Sequence, residues 1–470
     1  MRRAGDKDQR VPVLRRTVIA AVGLMIAVST AVTSAPRAWA LEIKRMTLNN
    51  GAILLVSEQH QLPMVTAAIA FDAGSRRDPP GKEGLAALTA NSLTEGTSKL
   101  TSAEFNQKTD FMGSSVDVSA SRDYSEARFT SLKKYEHETL HLLAQTLQDP
   151  ALRDEDIKRK QGEQLAAISA AQEQPEYTAN LAMTKALFGD TPYGHQVEGT
   201  SASVSKLTPA DVHAFYHAQY KMASAVIAVA GDVDADAVRD ELNHEFTGLR
   251  GSVPPQAVPP APSVARGIHA QLIDRNVAQA TLILGSGGVA RLNPDYYKLQ
   301  VMNYILGGGG FASRLMKVVR SKAGLAYGID SEFAAGKFPG AFLISLQTKN
   351  VSANEALKLI LQQMREMQET PVTAAELQGA KRFLIGSFPL KIDRQSEIVN
   401  FILQVEIYGL GLDYADRYPG IIQAITVADV QKVAQEYLHP DALDLVAVAN
   451  QGVAKIDVAA LQPPAKTASQ

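Results

Sequence analysis

Leu207-Thr208-Pro209-Ala210-Asp211-Val212 and Ile425-Thr426-Val427-Ala428-Asp429-Val430 are two versions of one signal. In each, a Thr stands where a helix N-cap belongs, and an Asp three residues on falls in the first turn, where it satisfies free amides and suits the helix dipole. The first predicts a helix to Tyr220 and then a strand from Ala225 to Ala230. The second predicts a helix to Tyr437 and then a strand from Leu443 to Ala449. Upstream, residues 52–56 and 65–72 are short β-rich runs ahead of a helical stretch from Gly84 to Glu95, stopped by Gly96. Their counterparts are strands at 270–273 and 280–285, then a helix from Asp295 to Leu306, stopped by Gly307. Strands followed by long helices, twice over, predict an α+β fold of two homologous domains, each a mostly antiparallel sheet covered by helices.

The segment Gly251 to Gly267 holds five prolines in seventeen residues and has no apolar period. It predicts a semi-rigid extended linker between the halves, reaching up to ~50 Å at about 3.1 Å per residue. The domain assignment is therefore a signal peptide over 1–40, an N-terminal domain over 41–250, the Pro-rich linker over 251–267, a C-terminal domain over 268–457 and a flexible tail over 458–470. The 470 residues are 46% hydrophobic and 20% charged, which excludes disorder, collagen and a small disulfide scaffold. With no Cys, thiolate catalysis, iron–sulfur clusters and Cys-ligated zinc are excluded too, so a transition-metal site must use carboxylates and the nine His.

Arg2, Arg3, Arg10, Arg15 and Arg16 precede an uncharged apolar run from Val18 to Val32, and Ala38-Trp39-Ala40 supplies small residues around a cleavage point. That pattern is a secretory signal peptide, and Arg15-Arg16 also permits twin-arginine export. Its removal takes away 7 Lys/Arg and 2 Asp/Glu, leaving 40 basic against 47 acidic residues, a net charge of −7. The expectation is an exported protein, periplasmic if the cell is Gram-negative, with no stable membrane insertion after cleavage. Nucleic acid, which needs a concentrated basic surface, is not an expected partner.

Phe71-Asp72-Ala73-Gly74-Ser75-Arg76, then Pro79-Pro80-Gly81-Lys82-Glu83-Gly84-Leu85-Ala86, then Thr94-Glu95-Gly96-Thr97 form an ordered series. Leu187-Phe188-Gly189-Asp190-Thr191-Pro192-Tyr193-Gly194, Leu306-Gly307-Gly308-Gly309, Ser313-Arg314-Leu315 and Gly324-Leu325-Ala326-Tyr327 extend it. The series resembles the signature of the insulinase/pitrilysin zinc peptidases, especially the branch of the mitochondrial processing peptidases, over nearly all of 41–455. The resemblance implies an inverted zinc motif, H-x-x-E-H, on the helix after Gly84-Leu85-Ala86, with a third ligand, a Glu, about 75 residues on. The matching positions are Ala87, Ala90 and Asn91, and then Ala166 in the run Ala166-Ala167-Ile168. A methyl group donates nothing to zinc and an amide oxygen is a poor ligand, so no metal is expected in this chain.

The same resemblance implies a second set of residues. Two-subunit members place zinc on one chain and an Arg/Tyr pair, seven residues apart, on the other; Arg320 and Tyr327 match that pair. A phenol suits the oxyanion forming on a scissile carbonyl, and a guanidinium suits a substrate carbonyl. The other reading is that Arg320 ends a solvated helix and Tyr327 packs on a strand with Leu325 and Ile329. Gly307, Gly308, Gly309 and Gly310 follow a helix and lack the Gly-Lys-Ser/Thr of a phosphate loop, so nucleotide binding is not expected. The resemblance implies a flexible loop facing a shared cavity; the alternative is a plain helix connection.

His137-Glu138-Thr139-Leu140-His141 fits H-E-x-x-H, the zincin pattern, but Leu140, Leu143, Ala144 and Leu147 form the apolar stripe of that helix and leave the His pair at its edge. Three readings stand. The first is an exported non-catalytic subunit that pairs with a zinc-bearing homologous peptidase subunit and lends Arg320 and Tyr327 to hydrolysis of an extended peptide, with zinc on the partner. The second is a non-enzymatic peptide-binding or scaffold protein on the same fold. The third, ranked last, is an active zincin at His137, Glu138 and His141.

Overall fold

The duplicated strand–helix signal folds into two sheets with one plan. The computed structural model describes residues 41–262 and 266–463, all within one compact unit; the expected signal peptide over 1–40 lies outside them. The first sheet takes β1 (Lys44–Thr47), β2 (Ile53–Glu58), β3 (Met64–Phe71), β4 (Ser115–Ala120), β5 (Ser125–Leu132) and β6 (Val226–Gly231) in the order β1-β2-β6-β3-β5-β4. The second takes β7 (Gly267–Asp274), β8 (Gln279–Gly287), β9 (Ala326–Ala334), β10 (Ala341–Lys349) and β11 (Ala442–Ala449) in the order β7-β11-β8-β10-β9. In both, the last strand returns into the sheet, β6 between β2 and β3 and β11 between β7 and β8, parallel to the earlier neighbour and antiparallel to the later. Every other pairing is antiparallel. The expected pair of mostly antiparallel, helix-covered sheets is the observed fold, with β1 added to the first.

The main helices of the first half are α1 (Leu85–Leu93), α2 (Ser102–Met112), α3 (Glu136–Gln148), α4 (Asp154–Gln172), α5 (Pro175–Phe188), α6 (Pro209–Gln219) and α7 (Ala235–Glu245). Those of the second are α8 (Tyr296–Asn303), α9 (Ala353–Glu369), α10 (Ala374–Ser387), α11 (Gln395–Ile407), α12 (Tyr414–Ala424) and α13 (Val427–Tyr437). Thr208 caps α6 and Thr426 caps α13, each with its Asp completing a reciprocal capping box. Among the described residues no helix is long and apolar enough to cross a membrane.

The central strands β3, β6, β8 and β11 are buried on both faces because helices cover both, whereas β4, β5 and β9 alternate between buried and more exposed residues. In β3 and β6, Val65, Ile69, Phe71, Ile227 and Val229 face one way and pack with Leu88 of α1, Leu143 of α3 and Phe215 of α6. The alternate residues Ala68, Ala70, Ala228 and Ala230 face the other way, and what covers them is α11, from the second half, through Val399, Ile402 and Leu403. The second sheet repeats this in reverse: Ile283, Val446 and Val448 are covered by Ala179, Met183 and Leu187 of α5, from the first half. Small alanines on one sheet face let the exchanged helix approach closely. Polar contacts fix the exchange: Gln395 donates to the Met64 carbonyl (3.1 Å), Arg128 donates to the Asn400 amide oxygen, and Arg45 binds Glu406 through two hydrogen bonds of 3.0 and 2.8 Å.

Three expectations change. Residues 253–256 of the expected semi-rigid linker pack against the first half: Val253 is buried and donates to Ser224 Oγ (2.8 Å), Gln256 exchanges hydrogen bonds with Arg76, and Arg77 reaches the Pro254 carbonyl (2.9 Å). Arginines of the turn after β3 supply donors that a proline-rich backbone, short of its own N–H groups, accepts readily. The expected flexible tail begins with a helical turn, Val458–Leu461, and Gln462 hydrogen-bonds both the N–H and the C=O of Ile268 on edge strand β7 (3.0 and 2.9 Å). Gly307 does not stop its helix, which passes into a π-helical turn over Tyr304–Gly308.

Because each sheet takes one cover from the other half, neither half is complete alone. Fragments 41–262 and 266–463, made separately, are each expected to show exposed apolar surface and no cooperative thermal transition. Mixed in equal amounts they should regain one, as read by calorimetry and dye binding.

Candidate functional site

The second half brings together Phe311, Arg320 and Tyr327. Arg320 lies in a π-helical segment, Met316–Lys322, an uncommon geometry that recurs at functional sites. Gly324 then takes a left-handed conformation (φ 65°), which only glycine adopts freely, and turns the chain into β9. Ile329 pairs with Leu346 and Ala326 with Thr348, so Tyr327 and Gly328 together oppose the single residue Gln347. That bulge aims Tyr327 out of the sheet, where it is 86% exposed. The Arg320 guanidinium carbon sits 5.1 Å from the Tyr327 ring centre and 4.5 Å from that of Phe311, itself 71% exposed. Tyr327 therefore does not pack into a core with Leu325 and Ile329.

A cation held between two aromatic rings keeps its orientation while its N–H groups stay available. Among the described residues the Arg320 side chain makes no hydrogen bond or ion pair, so its donors point to no internal acceptor. Phe311 was not singled out in the sequence; an aromatic directly after a four-glycine run was the signal for it.

Gly307, Gly308 and Gly309 run through a closely packed turn where a flexible loop was expected, while Gly310 takes a left-handed conformation (φ 53°) in open space. A Cβ on Gly307 would stand 2.3 Å from Ser331 Oγ, and one on Gly309 2.4 Å from the Tyr304 carbonyl. The close approach lets Asn303 and Ser331 exchange two buried hydrogen bonds (2.7 and 2.8 Å). On the other side Arg314 grips Glu376 of α10 with two parallel hydrogen bonds of 2.7 and 3.0 Å. Hydrogen bonding from Arg314 and from Thr373 holds the Glu376 carboxyl down to about 2. Phe311 and Arg320 are thus anchored at both ends of their segment.

The helix after Gly84-Leu85-Ala86 is α1, and α4 packs beside it. Ala87 and Ala90 are buried methyl groups, Asn91 is exposed, and Ala166 of α4 points to solvent while Ile168 of the same run is buried. Glu95, just beyond α1, pairs with Arg159 and Lys160 of α4, so an ion pair cross-links the two helices. The donor set does not fit zinc.

His137 and His141 lie on α3 as the zincin pattern required, but they do not converge. His137 Nδ1 meets Glu241 Oε1 at 2.6 Å and His141 Nδ1 meets Glu245 Oε2 at 2.8 Å, two rungs between α3 and α7. The hydrogen bond to Glu241 raises the His137 pKa, the opposite of what a metal ligand needs. Among the described residues no three His, Asp or Glu side chains gather as a metal-binding group. The zincin reading is corrected: this pair is a surface helix clasp.

Residues 54–201 match the family model of insulinase, peptidase family M16, and residues 206–384 match that of the peptidase M16 inactive domain. A Helicobacter pylori protein named a non-peptidase homolog, YmxG, is 27% identical over 403 residues, covering 85% of this chain and 92% of that one. A probable mitochondrial-processing peptidase subunit beta of Arabidopsis thaliana is 23% identical over 418 residues, 87% of this chain and 78% of that one. The crystal structure of a peptidase M16 inactive domain from Pseudomonas fluorescens superposes with a TM-score of 0.81 at 29% identity, covering 87% of this chain and 98% of that one.

The Arg314–Glu376 fork makes an acid-sensitive anchor. The folded pKa of Glu376 lies below its unfolded value, so the stabilisation is full above about pH 4.3 and drains away as pH falls toward 2. Glu376→Gln is expected to cost about 2 kcal/mol at pH 7 and to flatten the decline in melting temperature between about pH 4.5 and 2.5. Calorimetry across that range checks both.

Proposed function

The chain belongs to the insulinase family, peptidase family M16, as a non-catalytic member, and from this we propose that it is one subunit of a two-chain peptidase. Zinc and the general base would reside on a homologous partner, and this chain would supply Arg320 and Tyr327 over an extended peptide. The observation that carries the reading is the cluster at Phe311, Arg320 and Tyr327: an oriented, half-buried cation beside an exposed phenol, with no carboxylate among the described residues paired to the Arg. The Tyr327 hydroxyl donates to the oxygen that gains charge as a scissile carbonyl is attacked. The Arg320 N–H groups hold a neighbouring substrate carbonyl. Pairing is supported by the relative named as a processing-peptidase subunit, and the lack of donors at Ala87, Ala90, Asn91 and Ala166 leaves the zinc chemistry to a partner. Export to the periplasm belongs to the same proposal and rests on the sequence of residues 1–40.

Tyr327→Phe and Arg320→Ala are expected to leave folding and partner binding intact, and each to lower turnover of the two-chain enzyme by roughly a hundredfold, the usual effect of losing one oxyanion donor. Melting temperature and partner affinity are measured on the same samples. A rate loss without a melting shift supports the site. Unchanged turnover for Tyr327→Phe favours the second reading, a peptide-binding or scaffold protein.

A further inference from the structure

We propose that a small cavity in the second half, walled by Arg291, Lys391 and the tyrosines of α8 and α12, binds a small oxyanion of carboxylate or phosphate size. The cavity has a volume of about 80 Å³ and is bounded by Arg291 ahead of α8, Tyr296 and Tyr297 on α8, Lys391 beyond α10, and Tyr414 and Tyr418 on α12. No carboxylate lines it. Arg291 is stacked in an aromatic box, its guanidinium carbon 4.0 Å from the Tyr296 ring centre, 5.4 Å from Tyr297 and 5.7 Å from Tyr414. Its Nη2 donates to the Tyr414 hydroxyl at 3.1 Å, whereas its Nη1 is buried with no partner.

Lys391 makes no hydrogen bond or ion pair among the described residues. Lys391 is exposed along its surface, yet the surrounding protein and, next, the neighbouring Arg291 hold its pKa below that of an ordinary amine. Two cations therefore share one cavity without a counter-charge. Like charges facing one cavity repel, and the buried Arg291 Nη1 without an acceptor costs free energy. Water would occupy the orphan donor but not cancel the charge. A small anion does both, accepting from Nη1 and the ammonium, with tyrosine hydroxyls as further donors. The volume, a few times the ~30 Å³ of one water, admits a carboxylate or a phosphate group and excludes a nucleotide.

The position gives the site a consequence. Phe401 and Gln404 of α11 also line the cavity, so an anion there braces the helix that crosses to the first sheet. Binding to the folded chain alone raises its stability by mass action. The test is calorimetric titration and thermal unfolding of the full chain with inorganic phosphate, formate or chloride at constant ionic strength, on the native chain and on Lys391→Gln, a substitution at a partly exposed side chain that spares the aromatic box. Saturable one-site binding of phosphate or formate, with a rising melting temperature, is expected, weakened about tenfold in Lys391→Gln. No saturable binding of either oxyanion, equal affinity in both proteins, or saturation by chloride alone would overturn the assignment.

Discussion

The contact on which the molecule depends is the reciprocal covering of each sheet by a helix of the other half. α11 lies on Ala68, Ala70, Ala228 and Ala230 of the first sheet, and α5 lies on Ile283, Val446 and Val448 of the second. Removing either would open a sheet face that has no other cover of its own. The exchange turns two similar units into one body and fixes the angle at which α1, on one side, and the Phe311–Arg320–Tyr327 cluster, on the other, face their surroundings. The polar contacts of Arg45 with Glu406 and Arg128 with Asn400 then set the register of an apolar interface that is itself tolerant of sliding.

Much of the fold was legible because its signals are local. Thr208 with Asp211 and Thr426 with Asp429 mark helix starts by a hydrogen-bond pattern spanning three residues. The apolar runs at 52–56 and 65–72 read as strands whether one face or both are buried. Which element covers the second face was not legible, because nothing in Ala68 or Ala228 says that the helix above it comes from a distant part of the chain. The same limit explains Gly307: a glycine after a helix reads as a stop, whereas here it serves a close approach to Ser331, a contact set by tertiary packing.

At the site, the resemblance to the zinc peptidases singled out Arg320 and Tyr327, and it marked Ala87, Ala90, Asn91 and Ala166 as positions without donors. It could not show that Arg320 stacks between Tyr327 and Phe311, because that depends on a π-helical turn, a left-handed Gly324 and a bulge opposite Gln347, none of which has a local sequence rule. At His137 and His141, ranked last as a metal site, the helical spacing serves two separate carboxylates on a facing helix. The chemistry of α1 and the chemistry of the cluster are thus separable: one lacks metal donors while the other keeps an exposed phenol and a guanidinium with no acceptor among the described residues.

The most direct test of that separation is the rate of peptide hydrolysis as this chain is titrated into a zinc-loaded homologue from the same cell that retains H-x-x-E-H. No hydrolysis is expected from this chain alone at any zinc concentration, and activity should rise with added chain and level off at one chain per homologue. Zinc-dependent hydrolysis by this chain alone, or a homologue whose rate is indifferent to it, would contradict the account.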